Sequence, residues 1–263
     1  MDLCIEPRYP TPQHAQAARA VVDFFSARTE PQAILLMGSC ARGKASPDSC
    51  LDIMILVPPE LPAFQRNALE NAWLSLYARH EAFRAVRAVG AFSQVDLDII
   101  DGVFMARPRG WTGGPDEFEL EIGNTLVYSA TLWSSGDRLT RLKAQWLPYY
   151  DETLRRSRLA DVRRFCLNNL DHIPLYVKRE LYFQSFNRLY DALREFLQAL
   201  FITHHTYPIA YDKWIKEQIV DILDLPALYP QLTSLLEIHH FESDEIAQKA
   251  ELLRNLLETY TQA

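Results

Sequence analysis

The chain of 263 residues is 48% hydrophobic and 23% charged, which is enough to build one large core or two smaller ones. Its formal net charge of -7 disfavours nucleic acid as a partner, because proteins that bind a phosphate backbone usually concentrate positive charge on one face. No apolar stretch reaches the roughly 20 residues of a membrane span, and residues 1–16 hold no apolar signal segment, so the sequence predicts a cytoplasmic protein with no membrane partner.

The first predicted elements surround a loop of small and polar residues. Pro12 favours the start of an amphipathic helix, whose apolar residues recur at helical spacing up to Phe25. Apolar runs over residues 33–37 and 53–57 then predict two short buried strands. The loop between these strands carries the residues with the clearest chemistry in the chain.

This loop combines the donors of an anion site with a carboxylate. Gly38 and Gly43 allow the backbone to approach an anion closely, and Ser39 adds a hydroxyl group. Asp52 stands at the second predicted strand and faces the same opening. Such a set suits a nucleoside triphosphate held together with Mg²⁺.

The same stretch resembles the signature of the DNA polymerase β-like nucleotidyltransferase superfamily, in which Gly-Ser, a spacer and Asp-x-Asp lead into a strand. The matching residues are Gly38-Ser39, the turn at 41–43, the approach at 46–49 and Asp52. The resemblance implies Mg²⁺ as the cofactor and Asp52 as a catalytic and metal-binding residue. It also implies that a nucleoside triphosphate, with ATP as the expected one, is bound by Gly38, Ser39, Arg42 and Ser49.

One residue departs from the signature, because Cys50 stands where the first aspartate of the pair belongs. A thiol is a poor ligand for Mg²⁺, which prefers carboxylate oxygen. Three interpretations stay open: a catalytically inactive descendant, a site in which Asp48 or the triphosphate supplies the missing oxygen, and an introduced substitution. A buried cysteine is also a common apolar filler, and the four cysteines lack the paired spacing of a disulfide framework or a zinc site.

A third strand carries two further carboxylates. Residues 64–86 predict a helix, and the alternation over residues 92–102 predicts a half-buried strand after it. Asp96 and Asp98 are two residues apart, so both side chains point to one face of that strand. The resemblance implies Asp96 as the third acidic residue, either a metal ligand or the general base. Asp98 on the same face is a further candidate metal ligand, which could replace the oxygen missing at Cys50. A solvated strand face is the alternative.

The remaining part of the first half is less distinctive. Residues 107–115 are loop by composition, and they could form a substrate lid or a simple connection. Residues 117–122 predict a short helix, and we interpret Glu119 and Glu121 as surface charges. Residues 125–128 predict a short strand, and a helix follows toward Trp146.

Helical patterns dominate beyond residue 150, with breaks at Pro174, Pro208 and Pro226. The predicted helices cover residues 151–171, 174–204, 208–223, 226–239 and 242–261. The predicted fold is therefore α+β, followed by an all-helical bundle, and the resemblance implies that the sheet is a nucleotidyltransferase-type mixed sheet with flanking helices. We expect a catalytic domain over residues 1–149 and a helical substrate or partner domain over residues 150–263.

Residues 188–193 and 207–215 resemble the helical domain of aminoglycoside- and lincosamide-modifying nucleotidyltransferases. In the second segment, Lys213 is a candidate contact to a triphosphate or to a substrate hydroxyl group, because a flexible ammonium is a mobile phosphate partner. A surface lysine whose stem covers Trp214 is the alternative. The expected activity is transfer of a nucleoside monophosphate to a hydroxyl group, with a small molecule or a protein as acceptor. The alternative, based on Cys50, is a nucleotide-binding or interaction protein with impaired catalysis.

Overall fold

The computed structural model describes residues 6–108, 110 and 113–262, so Cys4 and part of the predicted 107–115 loop lie outside the described residues. The chain groups into two compact units. The first contains Met1–Phe104 and Ile122–Leu147, and the second contains Met105–Glu121 and Pro148–Ala263. Among the described residues, no helix is both long and apolar enough to cross a membrane.

The first unit is built on a four-stranded mixed sheet. Its strands are β1 (Ala33–Leu36), β2 (Leu51–Leu56), β3 (Val95–Ile100) and β4 (Ala130–Ser134), in the order β3-β2-β1-β4. β2 and β3 are parallel, whereas β1 runs antiparallel to both β2 and β4. β1 is buried along its whole length because it is central and purely aliphatic. The predicted mixed sheet is therefore confirmed.

Four helices accompany the first three strands: α1 (Pro12–Ser26), α2 (Gly38–Ala41), α3 (Ala63–Arg79) and α4 (Glu81–Arg87). The buried ring of Phe25 in α1 packs on Trp73 of α3, and Trp73 packs on Phe83 of α4, so these three helices share one core with the sheet.

The single helix predicted over residues 64–86 is wrong, because the chain has two helices that meet at His80. His80 has extended backbone angles, and its Nδ1 accepts a hydrogen bond from the Ala82 N–H at 3.2 Å. The side chain therefore caps the start of α4 and satisfies a donor that a continuous helix would pair internally.

The strand predicted over residues 125–128 is also wrong. After α5 (Phe118–Ile122), residues Gly123–Val127 form a π-helical turn, in which the Tyr128 N–H bonds the Gly123 carbonyl at 2.9 Å. The strand β4 begins at Ala130, two residues beyond the predicted one. α6 (Arg138–Trp146) then follows as predicted.

The second unit is helical and is dominated by α7 (Glu152–Val177) and α8 (Tyr182–Thr203). α10 (Glu245–Tyr260) packs on both, and α9 (Tyr229–Leu235) is short. A further π-helical segment covers Glu217–Ile222. The predicted helical bundle is confirmed, but the regular segments within 208–223 and 226–239 are much shorter than predicted.

Pro174 does not separate two helices as the sequence predicted. It lies inside α7, which continues to Val177. Ile173 and Val177 are both buried in the core that α7 shares with α8. Burial of these two side chains offsets the backbone hydrogen bond that proline cannot donate.

Candidate nucleotide and cation site

The register of β2 against β3 brings two predicted carboxylates together. Asp52 is aligned with Asp96 across the parallel pair, and Met54 is aligned with Asp98. Ligand atoms of Cys50, Asp52 and Asp96 all lie within 4.8 Å of one another. This group could hold a cation. Asp98 does not belong to it, since it lies two residues further along β3.

Cys50 is part of this group through its hydrogen bond to Asp52. Its Sγ donates to Asp52 Oδ1 at 3.0 Å, and the residue is half-buried. Burial, this hydrogen bond and the charges of Asp52 and Asp96 raise the pKa of the Cys50 thiol to about 12. The thiol is therefore protonated at neutral pH in the cation-free protein.

Gly38 allows α2 to begin directly against the Asp52 carboxylate. Its φ is +64°, and a Cβ atom at this position would lie 2.1 Å from Asp52 Oδ2. The neighbouring Met37 N–H donates to the Asp52 carbonyl at 2.8 Å. Any larger residue would meet both a strained backbone and a steric clash, so glycine is what brings the Gly38-Ser39 segment to the carboxylate.

The predicted nucleotide-binding residues lie in different places. Ser39 is half-buried in α2, and Arg42 is the C-terminal cap residue that follows that helix. Ser49 Oγ accepts the Ser46 N–H at 3.0 Å, so this hydroxyl already stabilises the loop turn. Lys213 is exposed in the second unit, where its carbonyl accepts a hydrogen bond from Gln218 Nε2 at 3.1 Å. Their contacts with a nucleotide stay predictions.

Asp48, considered as a source of the missing oxygen, is engaged elsewhere. Its Oδ1 accepts the Ala91 N–H at 3.2 Å, and a Cβ atom at Gly90 would lie 2.3 Å from the same oxygen. Asp48 therefore connects the loop before β2 to the turn before β3, and it lies outside the group formed by Cys50, Asp52 and Asp96.

Two residues that the sequence did not single out support the site. His14 of α1 is fully buried, and its Nε2 is 2.9 Å from the Ser49 carbonyl oxygen, one residue before Cys50. Gln94 Nε2 donates to Asp96 Oδ1 at 2.8 Å. Gln94 and Asp96 are two residues apart on a predicted strand, so the sequence could have indicated that their side chains share a face. The sequence offered no such indication for His14, whose partner is 35 positions away.

Part of the first unit matches a known protein family. The family model described as the nucleotidyltransferase domain matches residues 18–88, which include Gly38, Cys50 and Asp52. This match confirms the predicted resemblance to the DNA polymerase β-like nucleotidyltransferase superfamily over these residues. Asp96 lies beyond the matched residues, so its place in the site depends on the strand register.

Among solved structures, the chain is similar to a nucleotidyltransferase-like protein from Exiguobacterium sibiricum 255-15. The two chains are 15% identical, with a TM-score of 0.46 over 93% of this chain and 74% of that chain. No curated protein matches the chain.

The cation implied by the superfamily, Mg²⁺, does not fit this donor set in full. Asp52 and Asp96 offer the carboxylate oxygens that Mg²⁺ prefers, whereas Cys50 offers sulfur. Mg²⁺ also requires near-ideal octahedral geometry with oxygen ligands, so the thiol takes a place that it cannot use well. The group is therefore a candidate cation site in which two of the three donors suit Mg²⁺ and the third does not.

Proposed function

We propose that the chain binds a nucleoside triphosphate at the Gly38-Ser39 segment and transfers its nucleoside monophosphate to an acceptor hydroxyl group. The observation that carries this proposal is the alignment of Asp52 with Asp96 across β2 and β3, beside the residue at which α2 begins. Two carboxylates at one end of a parallel strand pair suit the cation that accompanies a triphosphate.

In the proposed reaction, the acceptor oxygen attacks the α-phosphorus and forms a new P–O bond. The bond between the α-phosphorus and the bridging oxygen breaks, and pyrophosphate leaves. Asp96 is the residue we assign to accept the hydroxyl proton, because it is the more exposed of the two aligned carboxylates. Asp52, held against Gly38, positions the reacting groups.

ATP as the donor, Mg²⁺ as the accompanying cation and the cytoplasm as the location belong to the same proposal. We expect Mg²⁺ to arrive with the triphosphate, because Cys50 is a poor ligand for it. The proposed acceptor is a small molecule of the aminoglycoside or lincosamide type, or a protein hydroxyl group.

A second candidate function is nucleotide binding without transfer. It is favoured by the hydrogen bond from Cys50 to Asp52, which occupies one carboxylate oxygen with a neutral thiol. In this case the Gly38-Ser39 segment would still bind phosphate oxygens, but the attacking oxygen and the triphosphate would not be aligned.

Calorimetric titration with ATP, with and without Mg²⁺, tests the nucleotide site. We expect binding in both conditions and less than about a tenfold change in affinity, because the backbone donors remain while one hard ligand is missing. Gly38→Ala is a suitable comparison, since its Cβ atom would displace the Asp52 carboxylate. Failure of every nucleoside triphosphate to bind at millimolar concentration would contradict the proposal.

Transfer is measured separately from binding. Radiolabelled triphosphate is incubated with aminoglycosides, lincosamides and the protein itself, and product is separated from pyrophosphate. Label on an acceptor supports the transferase, whereas tight binding without label on any acceptor supports the second candidate function.

A further inference from the structure

We infer that the group formed by Cys50, Asp52 and Asp96 selects a thiophilic divalent cation, with Zn²⁺ as the representative, over Mg²⁺. This inference concerns the site of the proposed function, but it needs no nucleotide and no transfer to be tested. It follows from the mismatch between this donor set and Mg²⁺.

The positions of the three donors suit one small cation. Their ligand atoms lie within 4.8 Å of one another, and Cys50 Sγ is 3.0 Å from Asp52 Oδ1. A tetrahedral zinc site has metal-ligand distances of about 2.0–2.3 Å, which places its ligand atoms about 3.3–3.8 Å apart. Asp52 and Asp96 lie on paired strands and Cys50 directly precedes β2, so small side-chain movements are enough to bring all three atoms to one ion.

The chemistry of the donors favours zinc over magnesium. Zn²⁺ binds sulfur and carboxylate oxygen together, and three protein ligands with an open fourth position are typical of non-structural zinc sites. Mg²⁺ takes oxygen ligands and gives up its water molecules reluctantly. Substituting sulfur for one oxygen therefore raises the affinity for Zn²⁺ and lowers the affinity for Mg²⁺.

Binding of the cation requires one proton to leave. The S–H bond of Cys50 breaks, the proton passes to solvent, and a bond forms between Sγ and the cation. Asp52 Oδ1 loses the hydrogen bond that it accepts from the thiol and becomes available as a ligand. No oxidant, reductant or other reactant is needed.

Hydrogen bonds around the group hold its members in place. Gln94 Nε2 donates to Asp96 Oδ1, and His14 contacts the carbonyl of the residue before Cys50. Gly38 leaves space for the Asp52 carboxylate. Such outer contacts commonly affect metal affinity by 10–100-fold. Because Asp96 is exposed, a bound cation keeps a position open to water or to a phosphate oxygen.

The inference is tested on the reduced, chelator-stripped full chain without nucleotide. Zn²⁺ affinity is measured by competition with a chromogenic chelator, Mg²⁺ is measured by its ability to displace Zn²⁺, and Co²⁺ serves as a spectroscopic probe. We expect Co²⁺ to give the near-ultraviolet absorption of a thiolate-metal bond. Most nitrogen, oxygen and sulfur sites prefer Zn²⁺ to Mg²⁺ to some degree, so the decisive result is the change caused by substituting Cys50.

Two substitutions separate the effect of sulfur from the effect of charge. Cys50→Ser should remove the cobalt-thiolate band and weaken Zn²⁺ by about tenfold or more, with Mg²⁺ affinity little changed. Cys50→Asp should instead raise Mg²⁺ affinity and lower the ratio of Zn²⁺ to Mg²⁺ affinity. Cys166→Ser is the matched control, because Cys166 lies in α7 and does not belong to the group, and this substitution should leave both affinities unchanged.

Unchanged Zn²⁺ affinity in Cys50→Ser, or a cobalt spectrum of the parent chain without a thiolate band, would overturn the inference. Thermal melting in metal-free buffer identifies a variant that fails to fold, and the parent cobalt spectrum remains decisive in that case. ATP titration of the same parent sample keeps the two hypotheses separate. A chain that binds ATP without the thiolate band refutes the cation preference alone.

Discussion

Asp96 and Asp98 have the same charge and occupy the same strand, yet their surroundings differ. Asp96 is aligned with Asp52 and accepts a hydrogen bond from Gln94, whereas Asp98 is aligned with Met54. Since the strand pairing places only Asp96 in the group with Cys50, the proposed chemistry should depend on one carboxylate far more than on the other.

We predict that Asp96→Asn lowers nucleotidyl transfer by about a hundredfold or more, because it removes the proposed proton acceptor and one cation ligand. Asp98→Asn is the matched control, and it should lower transfer by less than about tenfold. Both substitutions keep the side-chain size at an exposed position, so melting temperatures should change little. Transfer assays and thermal melting compare the two variants. Greater sensitivity at Asp98 would show that the site is centred further along β3.

The sequence predicted which face of β3 carries the carboxylates, because the alternation of side chains in a strand is a local property. Alternation alone did not decide whether Asp96 or Asp98 is aligned with Asp52, since register depends on the partner strand, and only the resemblance favoured Asp96. The sequence also did not predict the role of His14, because its contact with the Ser49 carbonyl oxygen joins α1 to a loop that is distant in sequence.

At the scale of elements, one buried polar network joins α5 and the residues before it to α7 and α8. Arg158 of α7 donates to both oxygens of Asp116, at 2.7 and 2.6 Å, and to both oxygens of Glu119, at 2.9 and 2.7 Å. Gln198 of α8 donates to the same two carboxylates, and the Tyr150 hydroxyl donates to Glu119 at 2.8 Å. Glu119 is completely buried, so its interpretation as a surface charge was wrong.

We predict that Arg158→Met destabilises the protein by about 3–5 kcal/mol, because it leaves Asp116 and Glu119 buried without their cation. Arg156→Met is the matched control on the same helix. Arg156 is exposed and pairs with Glu152, so its loss should cost less than about 1 kcal/mol. Urea denaturation measures both variants. Equal effects of the two substitutions would contradict the structural importance of the network.

The errors in element prediction share a physical cause with the error at Glu119. The helix of residues 64–86 has suitable propensity throughout, but the His80 side chain caps a new helix instead. Pro174 indicated a helix end, but the burial of Ile173 and Val177 keeps α7 continuous. In each case a tertiary or capping interaction outweighs local propensity. Composition and periodicity do not reveal such interactions.

At the scale of the whole molecule, the chain passes between the two compact units three times. Residues 105–121 group with the C-terminal helices, although they precede π-helical and strand segments of the first unit. The change from mixed strand and helix patterns to helical patterns predicts a single boundary near residue 150, and the functional assignment of residues 1–149 and 150–263 stays a prediction. Asp116 and Glu119 precede their partner Arg158 by 42 and 39 positions in the sequence. A local pattern of residues does not reveal contacts over such separations.

We predict that a fragment of residues 105–263 is more stable than a fragment of residues 150–263. The longer fragment keeps Asp116 and Glu119 as partners for Arg158 and Gln198, whereas the shorter one leaves a buried arginine without its carboxylates. By the cost of breaking a buried ion pair, we expect a difference of about 3–5 kcal/mol. Urea denaturation followed by circular dichroism compares the two fragments.

Limited proteolysis gives an independent measure of the same prediction. The shorter fragment should be cleaved faster within α7 near Arg158, because a helix that loses its buried partners opens more often. In the longer fragment the Arg158→Met substitution should remove most of the added protection, while Arg156→Met should leave it in place. Equal stability of the two fragments would contradict the prediction, because it would show that α7, α8 and α10 form their core without residues 105–121. The buried network would then orient residues 105–121 without stabilising the helices.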